Sequence, residues 1–264
     1  MRDESLTDPR FNVLGVTILN VTKNRGVELL ENVFREGGSP ARSVFFVNAH
    51  TLNLAYSDPA YREIINAGDF VFADGTGVRW AARLQGIKLA DNLVGTDFIP
   101  ALFSATAGRG YSYFILGGDE DTVAKAAEYA QENFPGWGLA GFHHGFLNDE
   151  KLNAAAVAQI NAARPNVLLV GMGNPLQEQW IAKHQSSLRV PVCLAIGGLF
   201  DYWANNVSRA PRWLRCLGHE WIWRLYQQPR EKARRYLIGN PLFLWRILCE
   251  GRREKSRAKR SEIL

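Results

Sequence analysis

Asp74 is the carboxylate whose setting in this sequence best suits it to move a proton. It follows the apolar run Phe70-Val71-Phe72-Ala73 and precedes Gly75. That setting puts it at the end of a buried strand, where lost hydration raises a carboxyl pKa and fits it for general-base work. The same position equally fits a turn or capping aspartate, a common use before glycine. Four other polar, glycine-bearing or cap-like segments follow apolar runs in the same way. They are Asn48-Ala49-His50, Gly117-Gly118-Asp119, Gly171-Met172-Gly173-Asn174-Pro175 and Gly197-Gly198-Leu199-Phe200-Asp201. Glycine lets backbone amides close on a phosphate, and the helix after each loop adds partial positive charge. One such turn says little, but five at one expected sheet edge point to a nucleotide pocket.

Several more specific chemistries are disfavoured. Leu176 stands where a dinucleotide fingerprint starting at Gly171 needs its third glycine, and no Walker lysine motif is present. Asp119-Glu120-Asp121 could hold a divalent metal, yet its place before a helix fits capping and dipole compensation. His143 and His144, adjacent on an expected strand, should point to opposite faces and not ligate together. No metal and no other cofactor is expected.

These segments need a scaffold, and the apolar periodicity supplies one. Short apolar runs at 13–19, 43–47, 70–73, 111–116, 139–142, 167–170 and 192–196 alternate with segments of helical period. That alternation predicts an α/β fold, a Rossmann-like, mainly parallel sheet flanked by helices. Ligands of such sheets bind outside the carboxyl ends of the strands. After Gly198 strand-like runs cease, and helices are predicted over about 211–228, 230–238 and 241–253, divided by Pro229 and by Gly239-Asn240-Pro241. The chain thus reads as a core, 1–202, and a helical appendage, 203–264. In the first of those helices Trp213, Leu217, Trp221 and Leu225 form an apolar stripe, which suits either docking onto the core or contact with a membrane.

Composition separates the two parts. The 264 residues are 47% hydrophobic and 22% charged, enough for a substantial core. From Trp203 onward there are 15 Lys and Arg against 5 Asp and Glu, or +10, while residues 1–202 hold 16 against 21, or −5. Five of the eight tryptophans also lie in the appendage. With the run Arg252, Arg253, Lys255, Arg257, Lys259 and Arg260, such a segment favours an anionic membrane surface; the tail carries no recognised nucleic-acid module. Three dispersed cysteines, no apolar run long enough to span a bilayer and no signal-peptide core set the expectation of a cytoplasmic protein, peripheral on the membrane.

One ordered series of motifs is more specific than any of its parts. It comprises Ala73-Asp74-Gly75-Thr76-Gly77-Val78, Gly95-Thr96-Asp97, Leu116-Gly117-Gly118, His143-His144-Gly145, Val170 to Pro175 with Gln177-Glu178, Arg209-Ala210-Pro211, Glu220-Trp221, Arg224, Pro229-Arg230 and Arg235 to Pro241. This series resembles the bacterial WecG/TagA/CpsF family of glycosyltransferases over nearly the whole chain. The resemblance implies an inverting enzyme on the inner face of the plasma membrane that moves a hexose (N-acetylmannosamine, its uronic acid or glucose) from a UDP-sugar to a saccharide on undecaprenyl diphosphate. The product would serve exopolysaccharide or other cell-surface polysaccharide synthesis.

By the same resemblance Asp74 is the general base, and Arg224, Arg230 and Arg235, with Arg234 a less certain neighbour, stabilise the leaving UDP. Asn48, His50, Gly75, Thr96, Asp97, Gly117, Gly118, Gly171, Gly173, Pro175, Gln177, Glu178, Asp201 and Arg209 fall to substrate binding. The family also implies association into oligomers. Many members carry Thr-x-Asn where this chain has Phe46-Val47-Asn48, so a hydroxyl is missing and the donor sugar is left open. The competing reading is a non-catalytic nucleotide-binding scaffold at the membrane.

Overall fold

β-branched and aromatic residues dominate the strands, and polar caps open most of the helices between them. The computed structural model describes residues 8–37 and 40–261, without the side chains of residues 216 and 252–261. The first half runs β1 (Arg10–Val13), β2 (Val16–Leu19), α1 (Lys23–Glu36), β3 (Arg42–Val47), α2 (Ala49–Ser57), α3 (Pro59–Asn66), β4 (Phe70–Ala73), α4 (Thr76–Leu84) and α5 (Gly95–Ala105). Then come β5 (Ser112–Gly117), α6 (Glu120–Asn133), β6 (Gly138–His143), α7 (Glu150–Ala163), β7 (Val167–Gly171), α8 (Leu176–His184), β8 (Val192–Ala195) and α9 (Leu199–Trp203). The chain closes with α10 (Arg212–Cys216), α11 (Glu220–Gln227), α12 (Pro229–Ala233), a π turn over Arg234–Ile238 and α13 (Gly239–Ser261).

The sheet has eight strands in the order β1-β2-β4-β3-β8-β7-β5-β6, parallel except for the β1–β2 hairpin. The expected α/β class is therefore observed. Apolar side chains fill both faces of the sheet. Tyr61, Val78, Trp180 and Ile181 lie on one side, and Phe34, Phe98, Phe103 and Phe200 on the other. Phe243 and Ile247 of α13 are buried in the first of these clusters, so the last helix packs against the same core as the strands.

Three expected elements need correction. The run 13–19 is not one strand but parts of two, because Leu14 and Gly15 both take positive φ and turn the chain into a hairpin, with the Gly15 amide donating to Asn12 Oδ1 at 2.9 Å. The helix expected over 211–228 breaks at Gly218, φ +74°, where a Cβ would come within 2.2 Å of Thr76 Oγ1. Its apolar stripe is accordingly split: Trp213 and Leu217 are 65% and 61% exposed, while Trp221 and Leu225 are half-buried, Trp221 packing near the Tyr236 ring. The expected break at 239–241 is absent. The wider π turn, in which the Gly239 amide donates to Arg234 O, precedes Pro241 and carries the helix past the missing donor. The basic run from Arg252 to Arg260 lies on α13, but its side chains fall outside the described residues.

Candidate active site

β3, β4, β5, β7 and β8 end at one edge of the sheet, and all five segments singled out in the sequence sit there. Val47 pairs with Ala73, so Asn48 and Asp74 leave adjacent strands side by side. The Asp74 amide donates to Val47 O at 2.8 Å, which fixes the carboxylate's base. Asn48 begins α2 as its cap, its Oδ1 accepting from the amides of His50 and Thr51 at 3.0 and 3.3 Å. The same side chain also serves the site: Nδ2 donates to Asp74 Oδ2 at 3.2 Å, and the capping Oδ1 also accepts from Arg235 Nη2 at 3.4 Å. Asn48 therefore ties the carboxylate of the core to a guanidinium of the C-terminal helices.

Burial pushes the Asp74 carboxyl up to about 6 from 3.8. The Asn48 amide and Arg235 work against that rise, and the nearby Glu220 and Asp97 carboxylates reinforce it. His50, also half-buried, is driven the other way, down to about 4, by burial first and then by Arg235 and Lys232, so its imidazole is neutral near pH 7. With a pKa near 6 the Asp74 carboxyl is largely ionised at pH 7 yet more basic than a solvated aspartate, and can take a proton from a hydroxyl.

A second group of side chains adjoins the first. Arg209 Nε donates to Glu220 Oε1 at 2.8 Å and its Nη2 to Asp97 Oδ1 at 2.9 Å, while its Nη1 reaches the Thr96 carbonyl at 3.4 Å. Arg224 lies buried with Nη2 3.5 Å from Asp201 Oδ2, and its guanidinium sits 4.8 Å from the Tyr202 ring centroid. Arg209 approaches the same ring at 5.4 Å. Arg209 is thus committed to protein carboxylates. Arg224 is committed only in part: beyond its pairing with Asp201, its Nη1 is buried without a hydrogen-bond partner, as is Arg235 Nε. A buried N–H left unpaired costs about 1–3 kcal/mol, which an incoming anionic oxygen offsets.

Lys232 completes this arrangement, and sequence reasoning missed it. Burial and the charges of Arg224 and Arg235 lower its pKa, which places three cations about one space. The signal was legible only in part, since Lys232 lies one turn before Arg235 on the same helix face. Tyr202, the ring shared by both arginines, was likewise hidden beside the more conspicuous Asp201.

Other expected residues are placed differently. Gln177 and Glu178 are buried and bonded to protein. Gln177 Oε1 accepts the Gly197 amide at 3.0 Å, and Glu178 accepts from Gln177, Asn174 and Tyr61 at 2.7, 2.6 and 3.1 Å. Burial raises the pKa of Glu178 in spite of those donors. Together they pin the loops after β7 and β8, the first of which contains Gly173 and Pro175.

Gly117 and Gly171 are close-packed: a Cβ on Gly117 would meet Gly171 O at 2.2 Å, and one on Gly171 would strike the Phe200 ring. Gly75 and Gly173 face open space. Gly118 donates to Gly171 O farther along the edge, away from Asp74. Arg230 and Arg234 are exposed, and Arg230 makes no side-chain hydrogen bond or ion pair among the described residues. Phe46 does not face the site at all; its ring packs on Phe72 and Phe98, with centroids 5.8 and 5.6 Å away.

Two sequence readings of carboxylates and histidines resolve here. Asp119 caps α6 by accepting the Thr122 amide at 2.7 Å, and Asp121 pairs with Lys125. The rings of His143 and His144 do not point apart. β6 ends at His143, strand alternation stops there, and the centroids lie 4.4 Å from each other.

Comparison with known proteins gives matches over nearly the whole chain. The model of the Glycosyl transferase WecG/TagA/CpsF family matches residues 11–257. Two curated relatives, from Staphylococcus aureus strains MW2 and NCTC 8325 / PS 47, are each 30% identical over 258 residues, covering 97% of this chain and 99% of theirs. Both carry the name N-acetylglucosaminyldiphosphoundecaprenol N-acetyl-beta-D-mannosaminyltransferase.

Proposed function

The chain belongs to the WecG/TagA/CpsF family of glycosyl transferases, and from that premise we propose that it transfers a hexose from a UDP-sugar to a saccharide carried on undecaprenyl diphosphate, with inversion at the anomeric carbon. The observation that carries this reading is Asp74, raised to about 6 and bonded through Asn48 to the cation group of the C-terminal helices. In this mechanism ionised Asp74 takes the proton of the acceptor hydroxyl as its oxygen attacks the anomeric carbon and the bond to the UDP oxygen breaks. Negative charge grows on the β-phosphate. Arg224, Arg235 and Lys232 meet that charge, and the unpaired N–H groups of the two arginines are already oriented and desolvated, so little reorganisation is needed. Arg209, held by Asp97 and Glu220, positions the loops instead of contacting phosphate. Gln177 and Glu178 act the same way through Gly197 and Asn174.

The relatives' names favour N-acetylmannosamine as the donor sugar and N-acetylglucosaminyl diphosphoundecaprenol as the acceptor; its uronic acid and glucose remain in the donor set. The product would enter exopolysaccharide or another cell-surface polysaccharide. We assign residues 203–264 to covering the active site and holding the protein at the inner membrane surface, and a homo-oligomer fits this family. No helix among the described residues is long and apolar enough to cross a membrane. Supporting peripheral contact, Trp213, Leu217, Leu237, Ile238, Trp245 and Leu248 of the C-terminal helices are each more than half exposed.

Transfer from a panel of UDP-sugars to a synthetic sugar-diphosphate-lipid series, with UDP release read in parallel, tests the reading. One donor should give a lipid-linked product and stoichiometric UDP. UDP binding with no transfer across a wide acceptor panel would support the scaffold alternative.

A further inference from the structure

A cleft of about 530 Å³ opens beside the loop that carries Asp74, lined by Arg79, Arg83, Lys88, Ile87, Leu89 and Asn92. Asn92 joins it to the site, because its Oδ1 accepts the Gly75 amide at 2.7 Å. Arg79 and Arg83 lie one turn apart on the same face of α4, and Arg79, Arg83 and Lys88 are exposed with no side-chain partner among the described residues. The lining carboxylate, Asp91, is already occupied, accepting the amides of Lys23 and Asn92 at 3.2 and 2.8 Å. Three unpaired cations, with Ile87 and Leu89 between them, therefore line a cleft that adjoins the Asp74 loop through Asn92.

The rest of α4 shows what kind of anion fits. Beside the row of Arg79 and Arg83 runs a second row, Trp80 and Leu84, 47% and 51% exposed. Cations flanked by an exposed tryptophan and leucine suit a phosphate whose other end is a hydrocarbon chain. Arg79 and Arg83 stand three and seven residues beyond Thr76, the first residue of α4, about 4.5 and 10.5 Å along the helix axis.

We propose that this cleft binds the diphosphate of the lipid-linked acceptor, with Arg79, Arg83 and Lys88 as its ligands and the Trp80–Leu84 row meeting the first part of the prenyl chain. The assignment rests on the proposed transferase reading. It separates two anion sites in one molecule: Arg224, Lys232 and Arg235 for the donor's diphosphate, and the α4 cleft for the acceptor's.

The test compares the full chain with its R79Q/R83Q/K88Q variant by direct titration of three probes. These are a short-chain prenyl diphosphate bearing N-acetylglucosamine, UDP, and phosphatidylglycerol vesicles. The variant should bind the prenyl diphosphate about tenfold or more weakly, as loss of charged hydrogen bonds implies, and UDP as before. Undiminished binding of the prenyl probe overturns the proposal. So does a loss confined to vesicles, which gives the cleft to phospholipid headgroups. R83Q alone, checked for an unchanged circular dichroism spectrum, guards against misfolding and should show a smaller loss of the same kind. Titration needs no turnover, so failure of transfer from every UDP-sugar would remove the proposed activity without deciding this result.

Discussion

Between pH 3.8 and about 6 the folded chain holds a proton on Asp74 that the unfolded chain has already released. The stability this group contributes is therefore present at low pH and is lost as pH rises through about 6. Asp74→Asn, neutral at every pH, should raise the melting temperature near pH 7, by up to about 3 kcal/mol of stability, and change it little near pH 4. Thermal denaturation at both pH values checks this. For the reaction the sign is opposite, since the base works ionised: kcat/KM should climb with pH through about 6 and level above it. Asn48→Ala removes the amide that favours the ionised carboxyl, so the rise should move to higher pH, and a profile left in place would detach Asn48 from this role. Asp74 was legible in the sequence because burial and a following glycine mark a strand end. The fate of Gln177 and Glu178 was not, since motif position says nothing about whether a polar side chain turns towards ligand or into a buried network.

At the scale of elements, the strand ends were readable from apolar runs alone, because a parallel sheet buried on both faces leaves few polar residues inside it. The hairpin at Leu14-Gly15 and the break at Gly218 escaped, and both depend on backbone conformation that periodicity does not encode. Gly218 matters for the proposed site. Its positive φ lets α11 turn over the sheet edge, and Thr76 Oγ1 donates to its carbonyl at 2.9 Å. Gly218→Ala should cost about 1–2 kcal/mol from the left-handed backbone alone, and more from the contact with Thr76. The expected signature is a lower melting temperature together with weaker UDP binding, as Arg224 loses its place. Weaker stability with UDP affinity intact would show that α11 keeps its position without this turn. The π turn shows a similar economy, presenting Arg235 to Asn48 while carrying the helix on to Pro241.

At the scale of the molecule, the sequence reads as an acidic core and a basic tail, and the proposed site draws on both. In that proposal Asp74 comes from the core and Arg224, Lys232 and Arg235 from the C-terminal helices, and Asn48 bonds to both Asp74 and Arg235. The exposed apolar residues of those helices predict that Trp213→Ser with Trp245→Ser weakens binding to anionic vesicles several-fold, read by co-sedimentation, while UDP affinity stays unchanged. Equal sedimentation would place the membrane contact elsewhere. Whether the two parts share one reaction is decided most directly by measuring transfer rate and UDP affinity together in Asp74→Asn and Arg224→Ala. Asp74→Asn should lose about 10²- to 10⁴-fold in rate with UDP binding retained, and Arg224→Ala should lose both. An Asp74→Asn enzyme that transfers sugar at the original rate would contradict the assignment of Asp74 as the base.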